Sequence, residues 1–271
     1  MIFFITGNRG KLFLQEKRKL RTRAVFLILV WVLLLVLSLS LLSILVSLFA
    51  SNPQGQSLSS LSWAGYIIAK DSNPKFEANA VNASWIVPQV NASAGDGYSS
   101  TWIGIGGQLD KNLIQVGTEH DVVNGQGIYT AWYELLPSFA VQLTSITVSA
   151  GDMMIASINL VHSDTNQWSI QISDATTGQT FSRNVVYNST RSSGEWIMER
   201  PTINNQISTL ADFGNITFTD CYVNVNNVTG PIAKFPFSKI QLVNSQNAEL
   251  SSVSALTAGG SSFTVSYIAG K

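Results

Sequence analysis

Two polar side chains stand in otherwise apolar, strand-like stretches of this chain. Gln115 lies within Leu113-Ile-Gln-Val-Gly117, and Glu195 lies within Gly194-Glu-Trp-Ile-Met-Glu199. A carboxylate can act as a general base toward water, and a carboxamide can donate a hydrogen bond to a developing oxyanion. If the fold brings the two side chains together on one sheet face, they could activate water against an amide bond. Taken alone, a glutamine in one strand and a glutamate in another favour the interpretation that both are satisfied polar groups of a core.

Other pairs of residues offer competing chemistries. His120-Asp121 could supply a base, but adjacent strand residues point to opposite faces, and the chain has no G-x-S-x-G nucleophile motif. We therefore predict that this pair lies in a surface loop. Glu195 and Glu199 would lie about 13 Å apart along a strand, too far for the carboxyl pair of a glycosidase. Glu134, from another strand, could complete such a pair with Glu195.

Metal and disulfide chemistry have few residues available. Cys221 is the only cysteine, so it can form neither an intrachain disulfide nor a thiolate zinc site. We predict that it is a small buried residue. His120, His162 and a carboxylate would be the only plausible zinc ligands.

The segments that would position Gln115 and Glu195 have the pattern of β-strands. Short runs rich in Val, Ile, Thr, Tyr and Trp alternate with turn residues from Trp63 onward, which predicts an antiparallel sandwich or barrel. Asp174–Gln179 has the composition of a hairpin turn. The predicted strands are Trp63–Ala69, Ala78–Val87, Ser99–Ile105, Asn112–Val116, Ile128–Leu135, Ser145–Val148, Met153–Leu160, Gln167–Ser173, Gln179–Val186, Glu195–Met198, Ile216–Val225, Ile240–Leu242 and Ser262–Ile268.

The N-terminal part of the chain has the pattern of a membrane anchor. Residues 1–23 carry the basic cluster, and residues 24–50 are uncharged, apolar and long enough to span a bilayer core of about 30 Å. We expect 1–23 in the cytoplasm, 24–50 as a transmembrane signal anchor, 51–62 as a polar linker and 63–271 as the outward-facing domain. A cleaved signal peptide, which would give a secreted protein, is the alternative.

Charge and glycosylation motifs agree with export. The first 50 residues have a net charge of +6, and the remaining 221 a net charge of −6. The domain therefore lacks the cationic excess that nucleic-acid binding uses. Five N-x-S/T sequons follow the apolar segment and none precedes it. These possible N-glycosylation sites are Asn82, Asn91, Asn188, Asn215 and Asn227.

Seven short motifs between about Trp63 and Val223 resemble those of the glutamic peptidases (eqolisins), a family of acid proteases. In chain order they are Trp102-Ile-Gly-Ile-Gly-Gly, Leu113-Ile-Gln-Val-Gly, Tyr129-Thr-Ala-Trp-Tyr-Glu134 followed by Pro137, Ile146-Thr-Val-Ser-Ala-Gly-Asp152, Thr177-Gly-Gln179, Glu195-Trp-Ile-Met-Glu199 and Phe218-Thr-Asp-Cys-Tyr-Val223.

The resemblance implies a specific fold and site. Members of the family form a two-sheet antiparallel β-sandwich, of the concanavalin A-like or jelly-roll type, with a substrate groove on a concave face. Gln115 and Glu195 match their catalytic dyad, Trp102 matches a tryptophan beside it, and Glu134 matches a further acidic neighbour. Glu195 would take a proton from water and later deliver it to the leaving amine, while Gln115 stabilises the oxyanion. No metal or cofactor is required.

The chain also departs from the family pattern. Gly106 and Thr130 replace aspartates near the dyad, Leu136 replaces an aromatic residue, and the paired cysteines are missing. Fewer neighbouring acids should alter the pKa of Glu195 and therefore the pH optimum. The apolar N-terminal segment is a further departure.

We therefore predict an all-β acid endopeptidase, anchored in the membrane and facing outward, that cleaves polypeptides between about pH 2 and 5. Two alternatives stay open. One is a non-catalytic adhesion or glycan-binding sandwich, in which Trp85 and Trp168 stack on sugars. We expect both tryptophans to be buried in the core. The other is a glycoside hydrolase that uses Glu195 with Glu134.

Overall fold

The computed structural model describes residues 56–69 and 76–268, all within one compact unit, Pro53–Lys271. The predicted cytoplasmic segment 1–23 and anchor 24–50 lie outside the described residues. Within the described part of the chain, no helix combines the length and apolar character needed to cross a membrane.

Two large sheets dominate the fold. All neighbouring strands are antiparallel except β1 and β16, which are parallel. The first sheet has the spatial order β1 (Gln56–Ser60), β16 (Ser238–Leu242), β2 (Trp63–Ala69), β11 (Ser193–Glu199), β4 (Ser100–Gly106), β5 (Leu113–Val123), β6 (Gln126–Leu135) and β7 (Val141–Gln142). The second has β10 (Thr180–Val186), β9 (Gln167–Asp174), β8 (Met153–His162), β3 (Ala78–Ile86), β14 (Asn215–Val225), β18 (Phe263–Tyr267) and β17 (Ser251–Val253), and β15 (Val228–Pro231) pairs with β14.

The remaining described elements are short. β12 (Thr202–Ile203) and β13 (Gln206–Ile207) form a two-stranded ribbon, and Ala92–Ala94 and Ile232–Lys234 are single 3-10 turns.

One apolar core joins the inner faces of the two sheets. Trp196 of β11 and Phe218 of β14 are both fully buried in it, and Phe218 stacks on Phe263 with ring centroids 4.8 Å apart. Each such side chain contributes roughly 1.5–3 kcal/mol of burial free energy. Trp85, Trp168 and Cys221 are also buried, as the sequence predicted. The two-sheet sandwich is confirmed.

A second, smaller apolar cluster lies on the outer face of the first sheet. Because side chains alternate along a strand, the residues between the core positions point to this face. The cluster consists of Ile67, Trp102, Leu113, Trp132, Ile197 and Ile240. The functional residues predicted from the sequence share this face.

The structure differs from the predicted elements in several places. The short strands β7, β12, β13, β15 and β17 were not predicted. Gln56–Ser60, predicted within the polar linker, forms the edge strand β1, and its Leu58 packs against the outer cluster. The predicted strand Ser145–Val148 is a loop, because Ile146 and Val148 enter the core without a neighbouring strand. The predicted turn Asp174–Gln179 does join the antiparallel pair β9 and β10.

The prediction that His120-Asp121 lies in a surface loop is wrong. Both residues belong to β5, and His120 is fully buried on the core side. Its Nε2 lies 2.8 Å from the Thr118 hydroxyl, which accepts from the Trp85 indole N–H. Burial lowers the pKa of His120 to about 3.

The histidines do not form the zinc site that the sequence left open. His162 is exposed at the end of β8, whereas His120 is buried in the core. Among the described residues, no three His, Cys, Asp or Glu side chains are grouped so that they could hold a metal ion.

Four of the five sequon asparagines are exposed: Asn91, Asn188, Asn215 and Asn227. Asn82 is partly buried, and its Nδ2 donates to the Asp220 carbonyl at 2.7 Å. Glycan attachment at Asn82 would replace one of the two Nδ2 hydrogens and leave only one for this hydrogen bond.

Candidate active site

Gln115 and Glu195 lie in one row across the first sheet. Glu195 of β11 pairs with Gly104 of β4, Gly104 pairs with Gln115 of β5, and Gln115 pairs with Glu134 of β6. Directly paired residues point to the same face, so these side chains all project from the outer face. The structure thus brings together a carboxyl and a carboxamide that are eighty positions apart in sequence.

Two glycines make room for the Trp102 side chain beside this row. A Cβ atom at Gly104 would lie 2.9 Å from Cζ3 of Trp102, and one at Gly117 would lie 2.6 Å from Cβ of Trp102. The fully buried indole therefore extends over Gly104, the residue between Glu195 and Gln115. Alanine at either glycine would collide with the tryptophan.

Gln115 is held by Glu134. Its Nε2 donates to the Glu134 Oε2 at 2.6 Å, and its Oε1 has no hydrogen-bond partner among the described residues. Burial raises the pKa of Glu134, and the charge of Glu119 adds to the rise, while the hydrogen bonds from Gln115 and from the Ala140 amide oppose it. The hydrogen bond fixes which end of the amide faces Glu134.

Glu195 has an unusual environment for a carboxyl. The residue is fully buried, and neither carboxyl oxygen has a hydrogen-bond partner among the described residues. Burial raises the pKa of Glu195 well above its ordinary value, and the charge of Asp110 adds to this; the nearby Ser193 hydroxyl, although not aligned for a hydrogen bond, opposes it. Unpaired buried carboxyls are costly, and groups with such perturbed pKa values cluster at functional sites.

The open groove that the resemblance implied is closed over the pair in this structure. Glu195 is 0% exposed and Gln115 is 5% exposed. A peptide could therefore contact the Glu195 carboxyl only if the residues that cover it moved.

Three further acidic residues on this face were not assigned to the site from the sequence. Glu119 and Asp121 follow Gln115 at alternate positions of β5, and Glu199 follows Glu195 on β11. Glu119 pairs with Thr130, whose hydroxyl donates to its Oε2 at 3.0 Å. The alternate spacing along β5 was the available sequence signal.

Two of these acids titrate far from their ordinary range. The pKa of Asp121 rises to about 7, first through burial and then through the charge of Glu119, against the hydrogen bond from the Ser99 amide. The pKa of Glu199 also rises to about 7 through burial and the charges of Glu134 and Glu119, against the indole N–H groups of Trp102 and Trp63. Both carboxyls are therefore largely neutral in acid.

These shifts predict that the folded protein is more stable in mild acid than at neutral pH. Asp121 and Glu199 release their protons more readily when unfolded, so stability present below about pH 4 is lost as the pH rises toward 7. His120 acts oppositely, because its lowered pKa removes stability as the pH falls from about 6.5 toward 3. Two carboxyls outweigh one imidazole, so we expect the melting temperature to be about 5 °C or more lower at pH 7 than at pH 4.5.

Two variants test the origin of that difference by thermal denaturation at both pH values. Asp121→Asn should reduce the difference in melting temperature, and His120→Gln should increase it, whatever each change does to stability overall. A melting temperature that rises from pH 4.5 to pH 7 in the unmodified protein would contradict the assignment of these pKa shifts.

Comparisons with known proteins identify a family and relatives for this chain. A model of the peptidase A4 family matches residues 61–267. Aspergillopepsin-2 of Aspergillus niger is 28% identical over 233 residues, which cover 77% of this chain and 78% of the relative. Scytalidopepsin B of Scytalidium lignicola is 28% identical over 208 residues, which cover 72% and 75%.

Solved structures show the same fold. Scytalido-glutamic peptidase, crystallised with a transition-state analogue inhibitor, superposes with a TM-score of 0.65 at 23% identity, over 77% of this chain and 99% of the other. Aspergilloglutamic peptidase from Aspergillus niger gives a TM-score of 0.56 at 26% identity, over 63% of this chain and 99% of the other.

Proposed function

We propose that Glu195 and Gln115 catalyse the hydrolysis of polypeptide substrates by this chain, which belongs to the peptidase A4 family and is a glutamic-type endopeptidase. The observation that supports the proposal is that Glu195 and Gln115 lie in one row on one sheet face, with only Gly104 between them. Glu134 also lies in this row, but its carboxyl accepts the hydrogen bond from the Gln115 Nε2, whereas the carboxyl oxygens of Glu195 have no partner among the described residues.

Glu195 acts as the base in the proposed reaction. Its carboxylate removes a proton from a water molecule that attacks the carbonyl carbon of the scissile bond, forming a tetrahedral oxyanion. The carboxylic acid then gives that proton to the amine nitrogen as the C–N bond breaks, so the carboxylate is regenerated. The free ends of the product peptide are a carboxylic acid and an amine.

Gln115 stabilises the oxyanion. Its Nε2 carries two hydrogens, and in this structure one is directed to Glu134. The second is available to the oxyanion, and a donor of this kind lowers the barrier by about 2.7–4 kcal/mol. An amide stays neutral and able to donate at every pH at which the enzyme works. Glu134 orients the amide, and Trp102 forms the wall beside it.

The raised pKa of Glu195 has a consequence for the pH profile. The base must be ionised, so kcat/KM should rise with pH on the acid side, and the rise should occur above the pKa of an ordinary glutamate, about 4.3. The activity expected at about pH 2–5 from the resemblance should therefore be concentrated at the upper end of that range.

A glycosidase role for Glu195 with Glu134 is not favoured. Their backbones are separated by three strand spacings, about 14 Å, with Gly104 and Gln115 between them. Glycosidase carboxyls lie about 5–9.5 Å apart. For the adhesion alternative, Trp85 and Trp168 would have to be exposed to stack on sugars, and both are buried.

We also propose that the domain faces outward from a membrane through residues 24–50, and that exposed sequon asparagines carry glycans. The uncharged segment behind a basic cluster and the placement of all five sequons after it support this. Protease protection of the domain in sealed vesicles would test the orientation. A mobility shift after glycosidase treatment would test the presence of glycans.

The function is tested by incubating the purified full chain with an unfolded protein from pH 2 to pH 7 and sequencing the new peptide termini by mass spectrometry. We expect cleavage that chelators and thiol-alkylating reagents do not reduce, because the dyad uses neither metal nor thiol and Cys221 is buried. No new termini at any pH, or loss of cleavage with a chelator, would contradict the proposal.

A further inference from the structure

We propose that Glu199 is a positioning residue of the peptidase site, which fixes the Trp102 indole over Gly104 and thereby keeps Gln115 and Glu195 in place. This inference rests on the function proposed above. It assigns a role to a carboxyl that takes no part in the proposed reaction.

The first observation is where the indole lies. Trp102 is fully buried, and its Cζ3 occupies the space that a side chain at Gly104 would need. Gly104 is the residue directly between Glu195 and Gln115 in the row. Any rotation of the indole therefore changes the space that the two reacting side chains share.

The second observation is what holds the indole. Its Nε1 donates to the Glu199 Oε2 at 2.7 Å, and Trp63 packs edge-on against the ring, with centroids 5.2 Å apart and an interplanar angle of 80°. A hydrogen bond from a buried N–H to a carboxyl oxygen is short-ranged and directional, so it selects one rotation of the ring. Trp63 packs against the Trp102 ring and restricts its rotation further.

Glu199 acts through Trp102 and not on the substrate. It lies four residues from Glu195 on the same face of β11, which places the two backbones about 13 Å apart. In the sheet, Glu199 pairs with Trp63 and Ser100, four residues along the strands from the row that contains Glu195 and Gln115. It is therefore too distant to touch the scissile bond.

A carboxyl at position 199 suits the role of hydrogen-bond acceptor for the Trp102 indole. The pKa of Glu199 is raised by burial, so the ionised form is disfavoured, yet a carboxyl oxygen accepts a hydrogen bond in either protonation state. The acceptor is thus present throughout the acid range. Without it, the buried indole N–H would lose its partner, which favours another ring orientation.

The test compares two variants of the full chain that differ in one property. Glu199→Gln keeps an oxygen acceptor for the indole N–H, whereas Glu199→Leu has similar size and no acceptor. We expect kcat of Glu199→Leu to fall about 10- to 100-fold with KM within about threefold, and kcat of Glu199→Gln to stay within about threefold of the unmodified enzyme. Rescue by glutamine is a result that loss of packing alone would not produce.

A double-mutant cycle with Trp102→Phe, which removes the donor, tests the coupling. Glu199→Leu should have little further effect on kcat in the Trp102→Phe background. Equal losses in Glu199→Gln and Glu199→Leu, or additive losses in the cycle, would overturn the inference. Should Glu199→Leu fail to fold, Trp102→Phe with Glu199 intact should show the same fall in kcat, and unchanged kcat would overturn it.

Glu195→Gln assayed in parallel separates the two proposals. If it abolishes cleavage while Glu199→Leu retains full kcat, the role of Glu199 is wrong and the proposed function stands. If Glu195→Gln cleaves as well as the unmodified enzyme, the proposed function is wrong, and the positioning role fails with it.

Discussion

Glu195→Gln is expected to lower kcat by about 10³-fold or more without lowering the melting temperature. The activity falls because an amide cannot take a proton from water, and general acid–base catalysis of this kind contributes up to about 10⁴-fold. The stability is kept because the carboxyl is fully buried and neither of its oxygens has a hydrogen-bond partner among the described residues. A neutral amide in the same space removes the cost of burying a group that ionises.

The measurement is kcat on a peptide substrate together with thermal denaturation at the same pH. At higher pH the melting temperature of Glu195→Gln should exceed that of the unmodified protein, because the raised pKa makes ionisation of Glu195 increasingly destabilising there. Glu199→Gln is the matched control, since it makes the same chemical change on the same strand face. A kcat of Glu195→Gln equal to that of the unmodified enzyme would show that Glu195 is not the base.

Opposed effects on activity and stability would identify Glu195 as a residue kept for chemistry. A polar group that served the fold would have its hydrogen bonds made, as Asp174 does in accepting from the Thr176 amide at 2.8 Å. Functional sites retain groups that the fold alone would not select. The same reasoning separates Glu195 from Glu119, whose carboxyl accepts from Thr130.

The sandwich and its strands could be predicted from the sequence because their signal is local. The short apolar runs around Gln115 and Glu195 predicted two strands without any knowledge of their partners. The row that joins them could not be derived in this way. It depends on the register of β11 against β4 and of β4 against β5, and a shift of one residue would have turned each side chain to the other face.

His120 and Asp121 show why the polar end of β5 was misjudged. The run Thr118-Glu-His-Asp121 has the composition of a loop, since polar residues there occupy both faces of the strand. The fold accommodates them because His120 finds the Thr118 hydroxyl inside the core, while Asp121 joins the acidic residues outside. Which polar groups have partners is decided by tertiary contacts that composition does not encode.

The strand β1 was missed for a different reason. Gln56–Ser60 is polar, short and without alternation, so nothing local distinguishes it from a linker. It becomes a strand because it lies parallel to β16 at the sheet edge, where its amides find partners. Edge strands of this kind depend on their neighbour more than on their own side chains.

Gln115→Ala is expected to lower kcat by about 10²- to 10³-fold with a smaller effect on KM, because the lost N–H acts on the oxyanion and not on the bound substrate. The control is Glu134→Gln, which keeps an oxygen to accept from the Gln115 Nε2. We expect Glu134→Gln to lose less than about tenfold, since the amide of Gln115 remains oriented.

A variant without the acceptor decides how the carboxamide works. If Gln115 mattered only as a partner that keeps Glu134 satisfied, Glu134→Leu would break the same hydrogen bond and lower kcat as much as Gln115→Ala does. If Gln115 donates to the transition state, only Gln115→Ala removes the donor, so its loss should exceed that of Glu134→Leu, and adding Glu134→Gln to Gln115→Ala should change kcat little further. Steady-state kinetics of these variants therefore distinguish an oxyanion donor from a structural amide.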